Sequence, residues 1–256
     1  MKIMKLRTIL NAVIGFSLLI AVWQLIIVIG DYDQVLFPPP IKVWEGILSL
    51  IQDGTLFTHF QVSLYRFLAG YLSAVLAAVL LGLILGRIPL LWNVLDPVAQ
   101  ILRPVSPIAW SPFIVLWFGI GDIPAIVIIF IAAFFPVLLS TVSAVRKVDR
   151  NYLKVAQNLE IKGFKLLTKI IFPAAFPYIA NGLHIAVGTA WIFLVAGEMV
   201  GAQSGLGYLI IDARNSMRLD LVMAGIVFIG ISGLLLDKAV GVFEAWINRQ
   251  WGIGKN

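Results

Sequence analysis

Cysteine is absent from this chain of 256 residues, histidine occurs only twice, and only 12% of the residues are charged. The lack of cysteine excludes disulfides, thiolate metal sites and cysteine nucleophiles. Soluble domains carry about 25% charged residues. With 61% hydrophobic residues and a mean hydropathy of +0.99, the composition excludes a soluble enzyme, a disordered chain and a nucleic-acid-binding module. It predicts a polytopic membrane protein.

Motifs for nucleotide and metal chemistry are missing as well. The sequence has no Gly-x-x-x-x-Gly-Lys-Ser/Thr loop, and its histidines, His59 and His184, lie far apart. We therefore predict that the chain is not an enzyme and has no catalytic residue, metal or cofactor of its own. Energy for any uphill transport must then come from a partner or from an ion gradient.

Six stretches are long and apolar enough to cross a bilayer, since a spanning helix needs about 20 mostly apolar residues. They are 9–29, 64–86, 98–118, 124–145, 178–200 and 221–236. Residues 41–51 are predicted to form a short interfacial helix with Trp44 at the membrane boundary. The sequence therefore predicts six spans and an amphipathic helix between the first two.

The distribution of basic residues predicts the orientation. Seven of the nineteen lie between residues 146 and 176, whereas only Lys42, Arg214 and Arg218 lie clearly in loops on the opposite side. Because cytoplasmic loops carry the excess of lysine and arginine, we expect both termini and the segment 146–176 in the cytoplasm.

A stripe of small residues marks the second span. Gly70, Ala74, Ala78, Gly82 and Gly86 recur at every fourth position and therefore share one helix face. Such stripes allow two helices in lipid to approach closely. We expect a helix-packing face, with a pore-lining face as the alternative.

The third span contains Pro104, Pro107 and Pro112 within nine residues. Each interior proline removes a helical hydrogen bond, and a broken helix at membrane depth must face protein or a wet cavity. We therefore expect this span to be broken, either as a purely structural kink or beside a transport path.

Polar side chains within the spans are the candidates for a translocation pathway. They are Arg66, Arg103, Ser106, Trp110, His184 and Glu198. The sequence leaves another interpretation open for four of these. Arg66 and Arg103 lie near span ends and could extend to the interface. His184 could equally be a hydrogen-bonded packing residue, and Glu198 could be structural or functional.

The segment 152–177 resembles the coupling loop of ABC-importer permeases, which has a Glu-Ala-Ala-x-x-x-Gly core and an end such as Ile-Leu-Pro. The corresponding residues are Lys154, Val155, Ala156, Gln157, Asn158, Leu159, Glu160, Gly163, Ile171 and Pro173. In that family the loop docks onto the ATPase, and a small residue such as Ala156 allows its helix to lie flat in a groove. Glu160 stands where the family has its turn glycine, so either the turn moves to Gly163 or Glu160 is tolerated there.

Other segments extend the resemblance over nearly the whole chain. Residues 63–71, 103–121, 182–188, 196–199 and 205–208 are similar to the taurine, sulfonate, nitrate and bicarbonate permeases. The chain is thereby identified as a member of the permease subunits of ABC importers, the binding-protein-dependent inner-membrane components.

The resemblance implies an all-α polytopic fold with six transmembrane helices. This would be a type I importer permease core like that of the methionine permease, with an extra N-terminal helix. The expected divisions are 1–60 for the N-terminal helix and external segment, 61–245 for the core with the coupling loop 146–176, and 246–256 for a cytoplasmic tail.

The resemblance also implies partners. They are a separate ATPase that binds ATP and Mg²⁺, a second permease subunit giving a homodimer, a substrate-binding protein outside the cell, and the lipid bilayer of a bacterial inner membrane. No nucleic acid is expected. The implied function is ATP-driven import of a small anion. The alternatives are a gradient-driven transporter or channel, which needs an ionisable relay within its spans, and a membrane-embedded enzyme.

Overall fold

The computed structural model describes residues 2–250, and within them every regular element is helical. The helices are α1 Lys2–Gly30, α2 Pro40–Gln52, α3 Thr55–Arg87, α4 Pro89–Leu102, α5 Ser111–Phe118, α6 Asp122–Arg146, α7 Arg150–Asn158, α8 Gly163–Leu166, α9 Phe172–Gly201, α10 Leu206–Asn215 and α11 Leu219–Gln250. A 3-10 turn, Pro107–Trp110, precedes α5, and a π-helical turn, Leu167–Ile171, joins α8 to α9.

Five helices in the described part of the chain are long and apolar enough to span a membrane, namely α1 from Leu10, α3, α6, α9 with its preceding turns, and α11. A sixth span is formed if α4 and Pro107–Phe118, which are bent by 87° relative to each other, are taken as one. The predicted six-helix fold and the break in the third span are confirmed. The predicted start of that span at Val98 is wrong, because α4 already begins at Pro89, whose fixed φ suits the first turn of a helix.

The core consists of α3, α6 and α9, which lie side by side. On α3, Ala74 and Ala78 are fully buried. A Cβ added at Gly70 would lie 2.8 Å from Ile129, and one added at Gly82 would lie 2.6 Å from Thr141. A Cβ added at Gly86 would lie 2.7 Å from Val145. The whole stripe of small residues on α3 therefore lies against α6, and the two backbones approach too closely for larger side chains.

The remaining helices surround this core unevenly. The predicted interfacial helix is α2, which begins at Pro40 and packs against α11 where Gly46 meets Leu221. By contrast, α1 is exposed along most of its length and contacts the rest of the chain through α2 and through Trp23, which lies against Phe37. The predicted divisions at residues 60 and 245 remain predictions, and residues 251–256 of the expected tail lie outside the described residues.

The two ends of the three-helix core are named after a residue or helix found at each. The Arg66 end contains Arg66, the start of α6 at Asp122 and the last turn of α9 at Glu198. The α7 end contains Arg87, Arg146 and α7.

Candidate functional site

At the Arg66 end, one buried guanidinium joins four parts of the fold. Arg66 is 1% exposed and uses all five of its N–H donors. Its Nε and Nη2 donate to Asp122 Oδ1 at 2.8 and 2.5 Å, and its Nη1 donates to Glu198 Oε1 at 2.8 Å. The two remaining donors reach the carbonyl oxygen and the hydroxyl of Ser204. Arg66 thus ties α3 to the start of α6, the end of α9 and the loop after α9.

Glu198 forms the second half of this network. Ser63 donates its hydroxyl proton to the carboxylate, with Oγ 2.8 Å from Oε1 and 2.9 Å from Oε2. The backbone N–H of Gly207 also donates to Oε2 at 2.9 Å. The Ser63 oxygen in turn accepts a hydrogen bond from the N–H of Leu206. Because a buried charge is tolerated only when it is paired and hydrogen-bonded, these contacts explain how Glu198 stays fully buried.

The loop that wraps the carboxylate needs its two glycines. Gly205 has φ +103°, and a Cβ there would collide with the Glu198 carboxylate. A Cβ at Gly207 would collide with the carbonyl of Val195. His59 holds the same loop, since its Nδ1 accepts the N–H of Gly205 at 3.0 Å.

The structure brings two of the predicted pathway residues into direct contact. Arg66 and Glu198 were separate candidates, and they form one buried ion pair. The interpretation that Arg66 extends to the membrane interface is wrong, because its side chain points into the protein. The sequence analysis missed Ser63, Asp122 and Ser204. The signal that could have found them is that a buried arginine needs hydrogen-bond acceptors around it.

Arg103 lies at the bend of the broken span, where two cavities meet. The first, which we call the membrane-depth cavity, measures about 180 Å³ and is lined mainly by apolar residues, among them Pro107, Pro136 and Phe193. The second, which we call the basic cavity, measures about 320 Å³ and includes Arg146 and Lys147. Arg103 lines both cavities.

The other candidates at the bend lie outside these cavities. Ser106 precedes the 3-10 turn and accepts the N–H of Ala109 through its carbonyl, while Trp110 ends that turn at the surface. Neither lines the membrane-depth or the basic cavity.

His184 binds two helices together. Its Nε2 lies 2.8 Å from Asp237 Oδ1, and its Nδ1 lies 3.6 Å from Glu244 Oε2, both on α11. The histidine therefore attaches α9 to the second half of α11. In the described part of the chain, no group of three histidine or acidic residues is arranged to hold a metal ion.

At the opposite end of the core, α7 is the central helix of the predicted coupling loop. Asp149 caps it by accepting the N–H of Asn151 at 2.8 Å, which satisfies one of the free donors of the first turn. Ala156 is 1% exposed and faces the protein, with Leu153 packed on the same side. Ala156 therefore has no surface to offer a partner, contrary to the docking role expected for it.

A different face of α7 is apolar and exposed. Tyr152, Val155 and Leu159 are each more than half exposed. Their spacing places them along one flank of the helix. The polar residues of α7 are exposed as well, namely Arg150, Asn151, Lys154, Gln157 and Asn158.

Glu160 ends α7 in a left-handed conformation with φ +54°. The N–H of Ile161 donates to the carbonyl of Ala156 at 2.8 Å, and the N–H of Glu160 donates to that of Gln157 at 3.0 Å. This hydrogen-bond pair is the Schellman motif, which usually has glycine where Glu160 stands. The turn has therefore not moved to Gly163. Instead, Gly163 supplies a second left-handed residue, with φ +59°, three positions later.

The last residues of the loop connect it to the core. Ile171 is buried against Val145 and Ile179, in the small cluster that also receives Leu153 of α7. Pro173 is the second residue of α9 and follows the π-helical turn, whose hydrogen bonding it cannot continue because it lacks an N–H. Packed side chains thus connect α7 to α6 and α9.

Comparison with known proteins places this architecture in a family. Residues 74–251 match the family described as "Binding-protein-dependent transport system inner membrane component". The chain is 36% identical over 240 residues to the putative aliphatic sulfonates transport permease protein SsuC of Bacillus subtilis, covering 92% of this chain and 87% of that protein. It is 34% identical to the taurine transport system permease protein TauC of Escherichia coli, covering 89% and 85% of the two chains.

A nitrate import permease protein, NrtB of Leptolyngbya laminosa, is also 34% identical, with coverage of 92% and 86%. Among solved structures, inward-facing MetNI methionine ABC transporter matches with a TM-score of 0.55 and 17% identity, covering 72% of this chain and 96% of that chain. The structural match supports the type I importer permease fold. The sequence matches show the family to which the chain belongs. This chain belongs to the family of binding-protein-dependent transport system inner membrane components.

Proposed function

We propose that this chain is the transmembrane subunit of an ATP-driven importer and forms the translocation pathway for a small anion of the sulfonate, taurine, nitrate or bicarbonate class. Family membership supports the role of permease. The names of the similar permeases support the substrate class, since they include aliphatic sulfonates, taurine and nitrate.

The exposed apolar flank of α7 is the observation that carries the proposed ATPase contact. Tyr152, Val155 and Leu159 are exposed on a short loop helix that lies outside the candidate membrane spans. Exposed apolar residues with a polar rim mark a protein interaction site. An amphipathic helix of this kind fits a hydrophobic groove on a partner, and we assign that groove to the ATPase.

The packing behind α7 supports a mechanism of coupling. ATP and Mg²⁺ bind to the ATPase pair, whose closure moves α7. Leu153 and Ile171 pass this movement to α6 and α9 through their shared cluster. The two permease subunits then change from facing inward to facing outward, and no covalent chemistry on the substrate is required.

The proposal also covers the assembly of the importer and its orientation in the membrane. Two copies form the pathway in a bacterial inner membrane, both termini are cytoplasmic, and a substrate-binding protein delivers the anion from outside. The basic residues concentrated at the α7 end support this orientation, because positive loops stay in the cytoplasm.

A single charge on the exposed flank of α7 tests this function. We expect Val155→Asp to release the ATPase during co-purification and to lower ATP-dependent uptake of taurine or ethanesulfonate at least about tenfold, since a charge in an apolar interface is strongly unfavourable. The matched control is Gln157→Asp, which adds the same charge to an exposed position on another flank of α7 and should retain uptake within about twofold.

Ala156 is unsuitable for this experiment, because a bulky residue there would disturb the packing of the loop itself. If Val155→Asp retains both the ATPase and uptake, the docking surface is wrongly assigned. If the chain alone moves substrate down an ion gradient in vesicles, the importer proposal fails and the gradient-driven alternative replaces it.

A further inference from the structure

Both cavities beside Arg103 lie along one continuous face of α6. Ala132 and Pro136 line the membrane-depth cavity, and Leu139, Ser143 and Arg146 line the basic cavity. These residues follow one another at steps of three or four and therefore form a single row on the helix. The row from Ala132 to Arg146 covers about 21 Å of helix length, a large part of the roughly 30 Å of a hydrocarbon core.

The membrane-depth cavity has features that permit water and a solute. Pro136 has no N–H, so the carbonyl of Ala132 loses its usual partner inside α6. The broken backbone at Pro107 borders the same space. Backbone groups freed at membrane depth are tolerated where they line a protected or water-filled cavity.

The basic cavity is lined by three cationic side chains, Arg103, Arg146 and Lys147, and by no carboxylate of the described chain. Among the residues whose side chains are described, the ion pairs involve Arg66, His184 and Arg218, but not Arg103, Arg146 or Lys147. Asp96 accepts a hydrogen bond from Gln100 at 3.4 Å and Asp149 accepts the N–H of Asn151, and neither carboxylate lines the cavity. Three cations around about 320 Å³ are therefore available for an anion, and Gln100 and Ser143 add hydrogen-bonding groups.

We infer that the basic cavity is an exit site for the transported oxyanion, which it receives from the membrane-depth cavity through Arg103. This inference rests on the proposed function and specifies a binding site within it. Arg103 is the shared wall of the two spaces, so an oxyanion bound by its guanidinium is already next to Arg146 and Lys147. Fixed cations in a cleft raise the local concentration of an anion about 10–10³-fold, so the site retains the solute before release.

The natural absence of cysteine allows a direct test. Ser143→Cys places the only thiol of the chain in the basic cavity. In inside-out vesicles containing the chain with its partners, this thiol is treated with a methanethiosulfonate reagent that carries a sulfonate and, separately, with the trimethylammonium analogue. Relative to free cysteine in solution, we expect the sulfonate reagent to be favoured by about tenfold or more, and sodium ethanesulfonate to slow its reaction.

Two charge variants show which cations matter. Combining Arg146→Gln with Lys147→Gln in the Ser143→Cys chain should reduce the preference for the anionic reagent at least about fivefold. Lys165→Gln removes an exposed cation at the same end of the molecule but outside the cavity, and it should leave the preference unchanged. Equal reaction of the two reagents, or the same loss in both variants, would overturn the site.

The phosphate of a lipid headgroup is an oxyanion like the proposed ligand. A second experiment distinguishes the two. The labelling is repeated in nanodiscs of phosphatidylcholine alone and in nanodiscs rich in phosphatidylglycerol. Protection by ethanesulfonate in phosphatidylcholine supports the transported oxyanion. Protection by phosphatidylglycerol, without any from ethanesulfonate, would make the cavity a lipid site and overturn the inference.

Labelling and uptake distinguish this inference from the proposed function. Labelling needs no ATP, whereas uptake needs the ATPase and the binding protein. Intact uptake with no anion preference at Ser143→Cys overturns the exit site alone. A clear preference and protection, with no ATP-dependent uptake of any sulfonate, taurine, nitrate or bicarbonate, supports the oxyanion site and overturns the proposed transport.

Discussion

The two ends of the three-helix core are held in opposite ways. At the Arg66 end, every donor of the buried guanidinium has an acceptor within the chain. At the α7 end, Arg146 and Lys147 form no ion pair within the described residues, and Val155 is exposed. The polar groups at the Arg66 end are satisfied by the chain itself. The cations and exposed apolar residues at the α7 end have no such partners within the described residues. This difference separates an end whose polar groups are satisfied within the chain from an end whose exposed groups are available for binding.

The largest effect should come from breaking the Arg66 network. Arg66→Ala leaves Glu198 buried without its cationic partner, so we expect a loss of about 3–5 kcal/mol in the free energy of unfolding. Unfolding in detergent micelles, followed by tryptophan fluorescence, measures this change. Arg214→Ala, at an exposed position, is the control and should stay within about 0.5 kcal/mol. A loss below about 1 kcal/mol for Arg66→Ala would mean that the network does not hold this end together.

A smaller effect, of the opposite sign, should come from the end of α7. Glu160 occupies a left-handed conformation that costs a residue with a side chain about 1–2 kcal/mol. Because glycine adopts this conformation freely but is more flexible when unfolded, we expect Glu160→Gly to stabilise the chain by about 1 kcal/mol in the same unfolding experiment. Glu160→Gln retains the Cβ and should give no gain. Equal stabilisation by both variants would show that charge, and not backbone conformation, is responsible.

The smallest effect on stability should come from the unpaired cations. Combining Arg146→Gln with Lys147→Gln removes two exposed charges that have no partner within the described chain, so the free energy of unfolding should change by less than about 0.5 kcal/mol. Such a result, together with a lost preference for the anionic reagent, would separate binding from stability at this end. A large loss of stability would mean that these residues stabilise the fold after all.

Local pattern was sufficient to predict the parts of the fold that depend on local physics. The four-residue repeat from Gly70 to Gly86 indicated a close helix contact, and the structure places α6 against it. The prolines after Arg103 indicated a broken span, and the two halves are bent by 87°. The apolar runs gave the number of spans, because a bilayer demands a minimum helix length.

Contacts between distant residues could not be obtained in this way. Ser63 and Glu198 are 135 positions apart, and only the tertiary fold shows that they share a hydrogen bond. Likewise, sequence left two possibilities for Glu160, because whether a turn tolerates strain depends on the packing around it. Ala156 was expected to face a partner, but a small residue fits a groove in its own chain equally well.

The arrangement around Arg66 has a mechanical consequence. Because Arg66 ties α3 to the start of α6 and to the last turn of α9, this network is a fixed point about which the three helices can rotate as a unit. From Arg66 to Arg87, α3 extends about 32 Å, so a rotation of about 10° about this point would carry its far end through roughly 5 Å. A small tilt is therefore amplified along the length of the helices.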